Sequence, residues 1–206
     1  MSKILSIDPG SEKTGYVIID RSTKQPLEFG KITNSEFMNA LQQVLEGADV
    51  IKGQPKHLNF EFDSVACEFP VPRGQLSSKD MFKTIWWIGR FYQVIYQHME
   101  ISFVDRKDVK MHICGIPNAK DTNIRQALID LYGGESIAIG GKKCKGCNGK
   151  GTKGRQKEAC EGCAGAGLET PRGPLNGLAG DAWSALAISV TYANGAAKPA
   201  IDVNQK

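Results

Sequence analysis

Residues 3–20, K-I-L-S-I-D-P-G-S-E-K-T-G-Y-V-I-I-D, hold two apolar runs, each ending on an acid. Ile4, Leu5 and Ile7 lead to Asp8; a turn of Gly, Ser and Pro follows; Tyr16 to Ile19 lead to Asp20. Two strands joined by a short connection, most simply a hairpin, fit this pattern. A carboxylate at the end of a buried strand is costly to desolvate unless a cation sits beside it. Asp8 is therefore the first candidate for chemistry, although an isolated D-P-G is more often a plain turn.

Working outward, the 206 residues allow one ordinary domain with one insertion and a core able to stand unaided. The formal net charge of +4 tolerates a nucleic-acid partner without requiring one. No apolar run approaches membrane-spanning length and the start shows no signal-peptide pattern, so a cytoplasmic protein without a membrane partner is expected. The six cysteines should then be reduced thiols or metal ligands rather than disulfides.

After the hairpin, residues 26–33 read as a third strand. Residues 35–45 read as a helix capped by Ser35, with Phe37, Met38, Leu41, Val44 and Leu45 on one face. Residues 53–56 read as loop. Strand signals over 58–69 end in V-A-C-E-F-P, which puts Glu68 at the end of a second buried strand before Pro70 and Pro72. A helix over 77–99 has too many aromatic and aliphatic residues for one stripe. It is either a fully buried core helix or one that leaves an aromatic face for a second subunit.

Residues 101–105 read as a short strand, and R-K-D-V-K begins a short helix. Residues 121–131 read as another helix, capped by Asp121 or Thr122 and ended by Gly133 and Gly134. This segment carries Arg106, Lys107, Lys110, Lys120 and Arg125. Such a run is usually a solvated face, but beside strand-end acids it would suit a polyanion. A last helix over 177–192 is rich in small residues, which allow close approach to a sheet, and has Asp181 in its first turn, where the macrodipole favours a carboxylate.

Residues 140–167 change character: Gly and Lys dominate, and C-K-G-C-N-G-K-G is followed by C-E-G-C-A-G-A-G. Cys144, Cys147, Cys160 and Cys163 supply four thiolates, which suit one tetrahedral structural zinc with no open position for water. Such a segment cannot bury a core, so metal would supply its folding energy. The pattern resembles the C-x-x-C-x-G-x-G repeats of DnaJ chaperones. The expected organisation is a main domain at 1–139 and 169–195, a four-cysteine zinc-binding insert at 140–168 and a flexible tail at 196–206.

Three acids stand out: Asp8, Glu68 and Asp181. Gathered at one sheet edge they would need cations. Magnesium suits hard oxygen ligands and keeps positions open for water and phosphate, and two such ions about 3.5–4 Å apart can hydrolyse a phosphodiester.

The stretches I-L-S-I-D-P-G-S-E-K-T-G-Y, V-A-C-E-F-P, V-K-M-H-I-C-G-x-x-N-A-K-D and D-A-W-S-A-L-A-I together resemble the RuvC Holliday junction resolvases of the RNase H-like superfamily, in the form carried by bacteriophages. The resemblance covers nearly all of the chain except the cysteine insert. It implies an α/β fold with a mixed five-stranded sheet flanked by helices, and a homodimer that cuts four-way DNA junctions with Mg2+ or Mn2+, in the cytoplasm of a bacterial host. Asp8, Glu68 and Asp181 match the family's catalytic, metal-binding acids. Lys110 and Lys120 match its basic positions near DNA, with Lys107, Arg125, Lys143 and Lys145 as further DNA-binding candidates. The family places two metal-binding residues three apart on the last helix, whereas only Asp181 is present here. The register preferred from D-A-W-S puts Leu178 at the vacant position; the other puts Ser184 there, and Asn176 is a further candidate ligand. The lysines of the insert would extend the phosphate-binding surface.

Sugar kinases and actin-like ATPases have a similar first loop, but their second Gly-rich nucleotide loop and repeated domain are not found here. A flap-cutting nuclease of the same fold and a non-catalytic junction binder stand as alternatives, because motifs specify chemistry rather than DNA shape.

Overall fold

The computed structural model describes residues 2–46, 62–70, 79–154 and 157–197. The expected loop at 53–56, the first part of the strand at 58–61, the helix start at 77–78, Arg155 and the tail from 198 lie outside them. The chain forms two compact units, Met1–Arg125 with Leu178–Lys206, and Gln126–Gly177. The second unit is wider than the insert read from composition.

In the first unit, β1 (Lys3–Pro9), β2 (Lys13–Asp20), β3 (Pro26–Thr33), β4 (Ser64–Glu68) and β5 (Ile101–Val104) form one five-stranded sheet in the order β3-β2-β1-β4-β5. β1–β2 and β2–β3 are antiparallel, while β1–β4 and β4–β5 are parallel. The mixed sheet flanked by helices is the architecture that the resemblance implies.

Strand alternation sorts side chains onto two faces. Leu5, Ile7, Tyr16, Ile18, Val65 and Cys67 join one core with Phe37 and Leu41 of α1 (Asn34–Glu46) and Ile88, Phe91 and Ile95 of α2 (Lys79–Tyr96). The opposite parity, including Ile4, Ser6, Val17, Ile19 and Ala66, is also fully buried. α6 (Ala182–Ala193) lies against β1, β2 and β4, and its run from Ala185 to Val190 is buried all round. α2 leaves Phe82 and Trp86 exposed at 65% and 58%, with the Arg90 guanidinium over both Trp86 and Trp87.

Several element ends differ from the sequence expectation, each for a local reason. Thr33 and Glu36, rather than Ser35, open α1: the Glu36 amide donates to Thr33 Oγ1 at 3.3 Å and the Thr33 amide to Glu36 Oε2 at 2.8 Å, a reciprocal capping box. The last helix begins at Ala182 rather than 177, because Gly177 and Gly180 turn the chain through φ of 91° and 53°. Asp181 therefore precedes the helix, and its side chain makes no capping bond. Asp20, the other strand-end acid, is structural: Ser22 and Thr23 donate to its carboxylate and hold its pKa at about 2.

The second unit holds α5 (Glu135–Ala138) and a two-stranded ribbon of β6 (Thr152–Lys153) and β7 (Glu158–Ala159). Its cysteine segment closes on itself through isolated bridges Gly140–Arg172 and Lys143–Leu168. Among the described residues, no helix is long and apolar enough to cross a membrane.

Candidate active site

β1 and β4 run parallel with Ile7 beside Cys67, so the next residues along, Asp8 near the end of β1 and Glu68 at the end of β4, lie at the same end of adjacent strands. By parity both stand on the α6 side of the sheet. Across β2 and β3 the register continues the row: Asp8 pairs with Gly15, and Gly15 with Lys31. Asp181, the residue just before α6, meets this row. Lys31 Nζ lies 2.7 Å from Asp181 Oδ2. The Ser184 hydroxyl, one turn along the helix, donates to the Asp8 carboxylate.

Gly15 makes the approach possible. A Cβ there would lie 2.6–2.7 Å from the backbone and Cβ of Asp181. Gly15→Ala should cost about 1–3 kcal/mol of stability, as overpacking does, read from a urea denaturation midpoint.

α3 (Arg106–Cys114) contributes the cation. Asp105 caps it, accepting the Lys107 amide at 2.7 Å, and this fixes Arg106 in the first turn. Arg106 Nη1 reaches both Glu68 oxygens, at 3.2 and 2.9 Å. Its Nη2 reaches Asp121 Oδ1 at 2.7 Å. Asp121 opens α4 (Asp121–Leu131), but its carboxylate is turned to Arg106, while Asn123 accepts the Lys120 amide.

The electrostatics follow from this crowding. Burial, then the Glu68 charge, and to a lesser degree Asp181, push the Asp8 carboxyl well above the usual carboxylate range; Arg106 and the Ser184 bond act against them. Burial likewise raises Glu68, and Arg106 opposes it. Burial works against the Arg106 charge, yet Glu68, Asp8 and Asp121 outweigh it and hold the guanidinium more firmly protonated than usual. Strand-end carboxyls raised by burial, with like charges nearby, are a donor set that a divalent cation would relieve.

Beside the acids lies a cavity of about 310 Å³ lined by Asp121, Thr122, Arg125, Asp181, Trp183 and Ser184, among others. The Arg125 guanidinium sits 5.0 Å from the Trp183 ring centroid. The Trp183 indole N–H donates to the Leu178 carbonyl at 3.1 Å, and Leu178 is buried. Ser184, not Leu178, is thus the side chain facing Asp8, opposite to the preferred register. Asn176 donates its side-chain amide to the Ile139 carbonyl within the second unit. Of the basic candidates in the first unit, Lys107, Lys120 and Arg125 are exposed, and Lys110 is half-buried near the Cys114 thiol.

The second unit carries its own candidate centre. Ligand atoms of Cys144, Cys147, Cys160 and Cys163 all lie within 4.8 Å of one another, the only such group of three or more among the described residues. Cys144–Cys160 and Cys147–Cys163 sulfurs are 3.9 and 3.7 Å apart, close to the ~3.8 Å edge of a tetrahedron with zinc–sulfur bonds of about 2.3 Å. The two halves repeat each other. Gly151 N–H donates to Cys147 Sγ and Gly167 N–H to Cys163 Sγ, each at 3.2 Å. Across the halves, Cys144 N–H donates to the Gly167 carbonyl and Cys160 N–H to the Gly151 carbonyl, each at 2.9 Å. Burial works against the Cys147 thiolate, but the Gly151 amide and the neighbouring thiols bring its pKa down to about 7, while burial helps lift Cys163 to about 11. The cluster fits one tetrahedral metal. Lys143 and Lys145 are exposed beside Cys144.

The sequence matches no protein-family model and no curated protein. Solved structures do match. The Thermus thermophilus RuvC structure superposes with a TM-score of 0.53 at 16% identity, covering 96% of this chain and 99% of that one. T. thermophilus RuvC in complex with Holliday junction substrate gives 0.56 at 15% identity, covering 97% and 99%. The chain has the fold of RuvC.

Proposed function

We propose that this protein is a metal-dependent endonuclease that resolves four-way DNA junctions. The observation that carries the reading is the convergence of Asp8, Glu68 and Asp181 at one sheet edge, in a fold shared with a protein solved on a Holliday junction substrate.

Asp8, Glu68 and Asp181 would hold Mg2+ or Mn2+. Bound there, the ion supplies a Lewis acid for a phosphate oxygen and a more acidic bound water. The residues of the chain do the rest. Ser184 orients the Asp8 carboxylate, Gly15 lets Asp181 close on the row, and Lys31 holds Asp181 in place. The cavity beside them accepts the DNA strand, with Arg125 exposed at its wall. Lys107, Lys110 and Lys120 neutralise neighbouring phosphates. These contacts position DNA without reading its sequence. The cysteine unit holds one structural zinc and presents Lys143 and Lys145 to the backbone. Paired cuts need two sites, and the exposed aromatic face of α2 is the surface on which a second copy would pack.

The test is cleavage of a labelled four-way junction beside duplex and flap DNA of matching sequence, with and without Mg2+. Symmetrical paired nicks in the junction alone support the reading. Equal cutting of flaps would make it a less selective nuclease, and tight junction binding with no cutting in any metal would make it a binder.

A further inference from the structure

Arg106 was read in sequence as part of a basic face, yet it is built into the acid cluster. Its side chain is 33% exposed, and the Glu68 side chain it grips is 13% exposed. It reaches both Glu68 oxygens and Asp121 at once, so one planar group ties β4 to α4 from α3. Each carboxylate oxygen carries two lone pairs, so Glu68 can keep this partner and still face a metal.

Charge and ligand supply agree. Ser184 stands where a further acid would face Asp8. The five carboxylates of Asp8, Glu68, Asp105, Asp121 and Asp181 and the two cations Lys31 and Arg106 leave a formal charge of minus three. One divalent ion brings it to minus one. A second would leave the site positive and would compete with a guanidinium held by charge-assisted bonds.

We propose that Arg106 is the permanent second cation of this site: fixed between Glu68 and Asp121, it takes the place of a second divalent ion, so that each chain holds one Mg2+ or Mn2+ rather than two. This rests on the metal-nuclease reading above. Arginine suits the role because it stays charged and its fork matches the carboxylate, whereas lysine is a point charge on a flexible stem.

The test counts ions without measuring cleavage. The full-length, zinc-loaded protein is titrated with Mn2+ alone, and free Mn2+ is followed by its electron paramagnetic resonance signal. Wild type should bind about one Mn2+ per chain at the acids, lost in Asp8→Asn. Arg106→Gln should bind a second equivalent or bind the first at least about tenfold tighter, as removal of an adjacent positive charge demands. Arg106→Lys, which keeps the charge, should remain at one. Two ions on wild type, or identical titrations of wild type and Arg106→Gln, overturn the proposal and leave the nuclease reading intact. A second ion on Arg106→Lys also overturns it. No Mn2+ on wild type overturns both. A wild-type count of two overturns the proposal even where a variant fails to fold.

Discussion

Asp8→Asn is expected to abolish metal-dependent cleavage while making the protein more stable. Loss of a carboxylate at the centre of the site should lower the cleavage rate by about 10³-fold or more. The stability gain has a separate cause. Burial and the Glu68 charge raise the Asp8 carboxyl above its unfolded value. The folded chain therefore binds more protons there than the unfolded chain. The contribution of Asp8 is greatest below its unfolded pKa and falls as pH rises through the raised folded value. Above the unfolded pKa, holding a carboxyl at this position costs stability, and asparagine removes that cost. Without added Mg2+, the variant should melt a few degrees higher than wild type, and the gap should close on acidification. Added Mg2+ should raise the melting temperature of wild type and leave that of the variant unmoved. A variant that still cuts DNA at the wild-type rate would remove Asp8 from the site.

The second large effect concerns the cysteine unit. The apolar cluster of its metal segment consists of Cys144, Cys147 and Cys160 with Cys163 packed against them. Gly149, Gly151, Gly154, Gly165 and Gly167 all hold positive φ, which ties up much backbone entropy. Among the described residues this cluster holds no apolar side chain larger than cysteine, so a metal held by the four thiolates would have to offset that cost. Chelation, or Cys147→Ser, should release one zinc per chain by elemental analysis and expose 140–168 to rapid amide exchange and proteolysis. β1, β2 and β4 should keep slow exchange. Because thiolates rather than thiols bind metal, zinc retention in a competing chelator should weaken as pH falls through about 7, the pKa of Cys147. Unchanged exchange in metal-free protein would mean that the segment folds on its own.

Much of the sheet was legible because alternation is local. The bounds of β3, and the ends of β2 and β4 at Asp20 and Glu68, can be read from apolar runs and the turns that stop them. The CxxC pairs were equally plain. What sequence hid is set by pairing across distance. Arg106 lies 38 residues from Glu68, and Lys31 reaches Asp181 only because β3 and β2 place it in the row of Gly15. Asp121 sits where a cap would, and only the presence of Arg106 turns it away. The D-A-W-S stretch does not reveal which side chain faces Asp8, because the start of α6 depends on Gly177 and Gly180 turning the chain first. A single clue was available: an arginine directly after a strand-end aspartate, beside another strand that ends on an acid.

The order of the chain adds a constraint on synthesis. The strands and α3 leave the ribosome early, but α6, which covers the face holding Ile4, Ser6 and Val17, is made after the whole cysteine segment. Until then the sheet has an uncovered side, and Asp8 and Glu68 have no Asp181 opposite them. The nascent chain therefore carries an incomplete site while its thiols are already able to capture metal. The acid cluster is complete only once α6 has been made and has closed the sheet.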